Sequence, residues 1–285
     1  MRVRVLVALL GCLIALAGCA EPTVQGGKPN PKPVKKLVSL SPSVTEIVAM
    51  NMPQMLAGRT AACNFPPTGL EQVPVLATVK PDYEKLAKVA PDLVVYDANL
   101  FSDADVTQMK AAAPKANFLP FAAQTVQGYI DWLLELGKLT GTETAMSEYS
   151  DKVYGALERA RGAAPTPLVR TLVLSGDGPG ALFAAGKKSL LADVIRQGGG
   201  ELLGDDSNRF TALKPEAIVS GDPELILVAG EASTVLKDPR FAATSAVKRN
   251  QVYGLNADVL LRAGSRFDKL IEGISRILPA ARAAK

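Results

Sequence analysis

Residues 142–161 read TETAMSEYSDKVYGALERAR, the longest stretch of helical character in the chain. Met146, Tyr149, Val153 and Leu157 fall on one stripe at helical spacing, while Glu148, Asp151, Lys152 and Glu158 face elsewhere. Gly162 closes the stretch, and Pro165 and Pro167 forbid its continuation. On both sides the chain repeats a rhythm of apolar strand, turn and amphipathic helix. Short runs of strand character precede it at 36–40, 93–96 and 117–119, and others follow at 171–174, 225–228 and 252–255. Strands alternating with helices place the chain in the α/β class with mostly parallel sheets. One long helix in mid-chain then predicts a spine (142–162) joining an N-terminal lobe (37–141) to a C-terminal lobe (163–285).

An internal repeat supports two lobes. Lys80-Pro81-Asp82-Tyr83-Glu84-Lys85-Leu86 leads to Pro91-Asp92-Leu93-Val94-Val95, and Leu213-Lys214-Pro215-Glu216-Ala217-Ile218 leads to Pro223-Glu224-Leu225-Ile226-Leu227. Seven positions separate Glu84 from Pro91 and Glu216 from Pro223. Each copy reads as a helix, a proline stop and a buried strand. Near the start of the first lobe, Ser43-Val44-Thr45-Glu46 has the pattern of a capping box, opening a helix to about Met50.

The N-terminus has the layout of a secretory signal over 1–18. Arg2 and Arg4 precede an apolar run from Val5 to Ala17 that is too short to cross a bilayer comfortably. It ends Leu16-Ala17-Gly18-Cys19, which resembles a lipobox, so Cys19 is the expected lipidation site and new N-terminus. An ordinary signal peptide is the plainer alternative. Residues 19–36 hold Pro22, Gly26, Gly27, Pro29, Pro31 and Pro33 with little that is apolar, the composition of an extended tether.

Composition narrows the chemistry. Cleavage before Cys19 removes only Arg2 and Arg4, leaving 30 basic against 28 acidic side chains, a net charge of +2 that argues against a nucleic-acid partner. Cys12 leaves with the signal and Cys19 carries lipid, so Cys63 has no intrachain partner. The absence of histidine removes serine–histidine triads and most zinc sites, and no metal or cofactor is expected. Ser175-Gly176-Asp177-Gly178-Pro179-Gly180 lacks a P-loop's Lys-Ser/Thr pair, and positive φ explains it better. Gly198-Gly199-Gly200 reads as a helix end. No catalytic residue is assigned.

Leu37-Val38-Ser39-Leu40-Ser41-Pro42-Ser43-Val44-Thr45-Glu46, Cys63-Asn64-Phe65-Pro66-Pro67, Ala90-Pro91-Asp92-Leu93-Val94 and Phe183-Ala184-Ala185-Gly186-Lys187 occur in that order. Arg262-Ala263-Gly264-Ser265-Arg266 follows, similar to an R-x-x-P-R start of the last helix, with Ser265 in place of proline. In sequence and order these stretches resemble the ABC-importer binding proteins whose lobes are joined by a single rigid helix, which serve vitamin B12, ferric siderophores and haem.

The resemblance implies capture of a metal chelate or corrinoid in an interlobe cleft and delivery to a permease dimer with its ATPase. It also implies a monomer, lipid-anchored in the cell envelope, with little cleft closure. Glu84 and Glu216 match the exposed glutamates, one per lobe, that face arginine pockets on the permease. By position the ligand-lining candidates are Ser41, Asn64, Phe65, Asp97, Phe183, Arg209, Phe210 and Arg262, although Phe65 and Phe183 also suit a core and either arginine a structural role. Trp132 lies in a helical segment with Leu133, Leu136 and Leu139 and reads as core, whereas cobalamin-binding relatives often place tryptophans in the cleft. A ligand sensor or adhesin of the same fold is the alternative.

Overall fold

The computed structural model describes residues 33–176, 182–214, 218 and 220–284. The signal segment, Cys12, Cys19, the tether up to residue 32, and Glu216 with its neighbours Pro215 and Ala217 lie outside the described residues, as does the rest of the glycine-rich stretch after Gly176.

The first sheet contains β1 (Leu37–Leu40), β2 (Leu56–Thr60), β3 (Val75–Ala77), β4 (Leu93–Asp97) and β5 (Asn117–Phe121). Its order is β3-β2-β1-β4-β5, with every pairing parallel. β1 is buried along its whole length and β4 at all but Asp97, which matches central strands covered on both faces. The chain steps outward from β1 to β3 and returns to β4 beside β1. That reversal opens a crevice at the carboxyl ends of β1 and β4. Helices α1 (Pro42–Asn51), α2 (Tyr83–Val89), α3 (Asp103–Ala112) and α4 (Val126–Thr140) follow these strands.

The long helix, α5, runs Glu143–Gly162. Met146, Tyr149, Val153 and Leu157 are buried, and Glu148, Asp151, Lys152 and Glu158 are exposed. Gly141, at φ 70°, makes the left-handed turn that folds α5 back on α4. Trp132 is core as expected. Its ring meets Phe121 edge-on at 5.1 Å, and its indole N–H donates to the Pro120 carbonyl at 3.0 Å.

Beyond α5 lie β6 (Val169–Ser175), β7 (Phe183–Ala185), α6 (Leu190–Gln197), β8 (Gly200–Leu202), β9 (Phe210–Ala212), β10 (Leu225–Ala229) and β11 (Val252–Leu255). The second sheet runs β11-β10-β6-β7-β9, with β8 also on β6. It is mixed: β7 pairs antiparallel with both β6 and β9. The C-terminal helix, Phe267–Ala283, packs on α5. The main core is continuous from Leu37 and Val95 of the first sheet, through Leu133, Met146 and Ile271 on helices, to Val173 and Leu227 of the second. Smaller cores cover the outer faces.

Two local readings change. The expected capping box does not form, because Pro42 already occupies the first helical turn and Ser41 is the N-cap, without a side-chain cap bond. Glu46 instead turns inward. Likewise, residues 262–266 are not the first turn of the last helix but an irregular connection between a short helix, Ala257–Leu260, and Phe267. Gly198 caps α6, and Gly199 takes φ 89°, consistent with a helix end.

Candidate functional site

An open cleft, lined by side chains from both, lies between the lobes. The first lobe contributes Ser43, Asp97, Asn99, Phe121 and Ala123, which follow the carboxyl ends of β1, β4 and β5. The second contributes the start of α6, the segment Asn208–Phe210 leading into β9, and residues 260–263 after β11. At the rim Asn208 Nδ2 donates to Asn99 Oδ1 at 3.0 Å, joining the lobes.

Among the described residues, two charged side chains of the cleft form no ion pair, and they differ in setting. Asp97 accepts the Asn99 backbone N–H at 2.8 Å; burial pushes its carboxyl above the usual range, partly offset by that bond. Arg209 is exposed and forms no ion pair among the described residues, so its guanidinium is available for an acidic oxygen.

Arg262 also lines the cleft, but protein acceptors surround it. It pairs with Asp258 at 2.8 Å, approaches Glu46 at 3.7 Å, and donates to Asn64 Oδ1 and to the Ala62 carbonyl at 3.2 Å. Glu46 is gripped by two nitrogens of Arg266, at 2.6 and 3.2 Å. The Phe65 ring stacks under the Arg266 guanidinium at 4.1 Å. Between these arginines, the Gly264 carbonyl accepts the hydroxyls of Tyr149 at 2.6 Å and Tyr129 at 3.0 Å, and Phe267 N donates back to Tyr149 at 3.2 Å. Burial raises both phenol pKa values, so both remain donors. A Cβ on Gly264 would run into the Glu46 carboxylate, so this approach requires glycine. The whole assembly joins α1 of one lobe to the 262–267 segment of the other.

Of the expected lining residues, Asp97, Arg209, Phe210 and Arg262 are on the wall. The other four stand elsewhere. Ser41 is buried behind it, its carbonyl accepting Thr45 N and Thr45 Oγ1, both at 2.9 Å, while Ser43 reaches the cleft. Asn64 and Phe65 serve the interlobe joint. Phe183 is 42% exposed on β7, away from the wall. Sequence reasoning missed Asn99 and Asn208. Asn99 could have been found from its place just past a buried strand, but Asn208 lies in an aperiodic loop that offers no such signal. Glu84 is exposed in the first turn of α2, whose N-cap Asp82 accepts from Lys85 N. Cys63 is a buried free thiol donating to Thr45 Oγ1 at 2.9 Å.

Two α/β lobes sharing one cleft at their strand ends define a two-lobed binding protein. The periplasmic binding protein family matches residues 37–259, and the chain belongs to it. A Bacillus subtilis relative, the uncharacterized ABC transporter substrate-binding lipoprotein YvrC, is 23% identical over 97% of this chain and 96% of its own. The vitamin B12-binding protein of Salmonella typhimurium is 24% identical over 81% of this chain and 85% of its own. Among solved structures, the haem-binding protein RhuT of Roseiflexus sp. superposes with TM-score 0.74 at 21% identity, covering 88% of this chain and 99% of that one. The vitamin B12-binding protein BtuF of Vibrio cholerae gives TM-score 0.74 at 19% identity, covering 88% and 98%. These relatives are binding proteins rather than enzymes.

Proposed function

We propose that the protein is the extracytoplasmic solute-binding component of an ABC importer. It would capture a bulky metal chelate or corrinoid (cobalamin-type, ferric siderophore or haem) between its lobes and deliver it to a permease and its ATPase. The observation that carries this is the cleft itself. Both lobes wall it, aromatic and aliphatic side chains cover much of it, and Asp97 and Arg209 face it without ion-pair partners among the described residues. The relatives are named for transport and solute binding, which supports import over sensing or adhesion.

The finer assignment has Asp97, Arg209, Phe210 and Arg262 contacting the solute. Removal of 1–18 and lipidation of Cys19 would tether a monomeric two-lobe body to the outer side of a membrane through the stretch that ends at Val34, which is already buried in the core. Glu84 and Glu216 would each enter a basic pocket on the permease, where opposite charge speeds encounter and penalises wrong docking. A strain lacking this gene and complemented with wild type is expected to recover uptake of one such solute. The Glu84→Lys, Glu216→Lys double variant should bind that solute normally yet fail to restore uptake. Normal uptake by the double variant removes the docking assignment, and no effect of the gene on any of these solutes removes the importer role.

A further inference from the structure

We propose that the cleft is bipolar. Asp97 on the first lobe and Arg209 on the second select a solute that presents a hydrogen-bond donor, carboxamide or ammonium, to one wall and an acidic oxygen to the other. The pair thereby fixes which way round the solute sits. This rests on the solute-binding role proposed above.

Asp97 ends β4, with one oxygen held by the Asn99 backbone N–H at 2.8 Å. It has no cationic partner among the described residues. The nearby wall cation, Arg262, is already balanced by Asp258 and Glu46. A carboxylate largely withdrawn from water and lacking a cation carries an unmet demand for a donor. Arg209 presents the converse. Its main chain is pinned, the carbonyl accepting Gly186 N at 3.1 Å and Ser207 Oγ at 2.8 Å, while the guanidinium has no acidic partner among the described residues. The Asn99–Asn208 bond links residues two from Asp97 and adjacent to Arg209, so the two charges flank the same rim from opposite lobes.

A solute whose arms are all carboxylates would set like charge against Asp97 or leave it unanswered. One that combines amide arms with a phosphodiester or carboxylate would satisfy both walls, with its apolar body against Phe121, Phe210, Leu260 and Leu261.

The test titrates the mature protein calorimetrically with three probes. Cyanocobalamin bears carboxamide arms and a phosphodiester, whereas haem presents only carboxylate arms and ferric enterobactin a trianionic catecholate face, its amides lying within the ligand backbone. Wild type is expected to prefer cyanocobalamin. Asp97→Asn retains an acceptor for Asn99 N–H and so leaves the turn intact. It should weaken cyanocobalamin by roughly five-fold or more while leaving the two anionic probes unchanged or tighter. Arg209→Gln should weaken cyanocobalamin by roughly ten- to hundred-fold. A residue that merely shaped the cleft would shift all probes in one direction. Preference for an anionic probe, an Asp97→Asn change of the same sign for every probe, or an indifferent Arg209→Gln overturns the bipolar cleft while solute binding stands. No saturable binding of any probe overturns the solute-binding role, and the bipolar cleft with it.

Discussion

Glu46→Gln removes the carboxylate that joins the lobes while keeping the side chain's shape. The Glu46 side chain is only 2% exposed, while those of Arg262 and Arg266 are 16% and 23% exposed. Removing one partner from a fully buried ion pair costs about 3–5 kcal/mol, chiefly because the other charge is left unpaired. Here the penalty is smaller. Arg266 keeps some access to water and the Phe65 ring, and Arg262 keeps Asp258. A loss of about 2–3 kcal/mol follows. At about 2–4 °C per kcal/mol for a domain of this size, the melting temperature should fall by about 4–12 °C. Urea unfolding should show a lower midpoint with an unchanged slope. Replacing both partners, Glu46→Met with Arg266→Met, should recover all but about 1 kcal/mol, because two apolar side chains leave no orphaned charge. A Glu46→Gln protein within about 0.5 kcal/mol of wild type, inside the range of ordinary surface changes, would refute the clamp.

Gly264→Ala should destabilise without touching the cleft's charges, since its Cβ meets Glu46; a melting temperature equal to wild type would place Glu46 elsewhere. Tyr149→Phe removes one of two hydroxyls from the Gly264 carbonyl, while Phe267 N keeps that carbonyl as an acceptor at 3.2 Å, for a loss of about 0.5–1.5 kcal/mol by chemical denaturation. Asp97→Asn should raise the melting temperature of the ligand-free protein at neutral pH. A carboxyl whose folded pKa is raised destabilises the fold as pH rises past its unfolded value near 3.9, so the gain should vanish at about pH 3. A gain equal at both pH values would contradict burial as the cause. Cys19→Ser should move the protein from the membrane and detergent phases to a soluble or unprocessed form, and equal partitioning of both versions would end the lipid anchor.

The α/β class and the long helix were legible because burial has a period. The Met146–Leu157 stripe and the mostly apolar runs of β1, β4 and β10 state which faces are covered. Short antiparallel β7 and β9 were not, since three-residue strands carry too little pattern to set direction. Local motif reading misled at Glu46. The Ser43–Glu46 spacing suits a capping box, but the choice between helix cap and interlobe ion pair depends on Arg266, which lies 220 residues away. Asn64 and Phe65 stand in the interlobe joint for the same reason: their partners, Arg262 and Arg266, come from the other lobe. Asp97, Arg209, Phe210 and Arg262 could be placed because the rule that sites lie past strand ends is topological and needs no side-chain geometry.

The central claim, a solute held between the lobes, is tested most directly by equilibrium titration of the Cys19→Ser protein with cyanocobalamin, haem and ferric siderophores. It predicts saturable one-to-one binding of one of these classes, weakened by Phe210→Ala and Arg209→Ala. At 100-fold over its dissociation constant, that solute should add about 2.7 kcal/mol to stability. Absence of saturable binding across the panel, or binding that neither substitution changes, would contradict it.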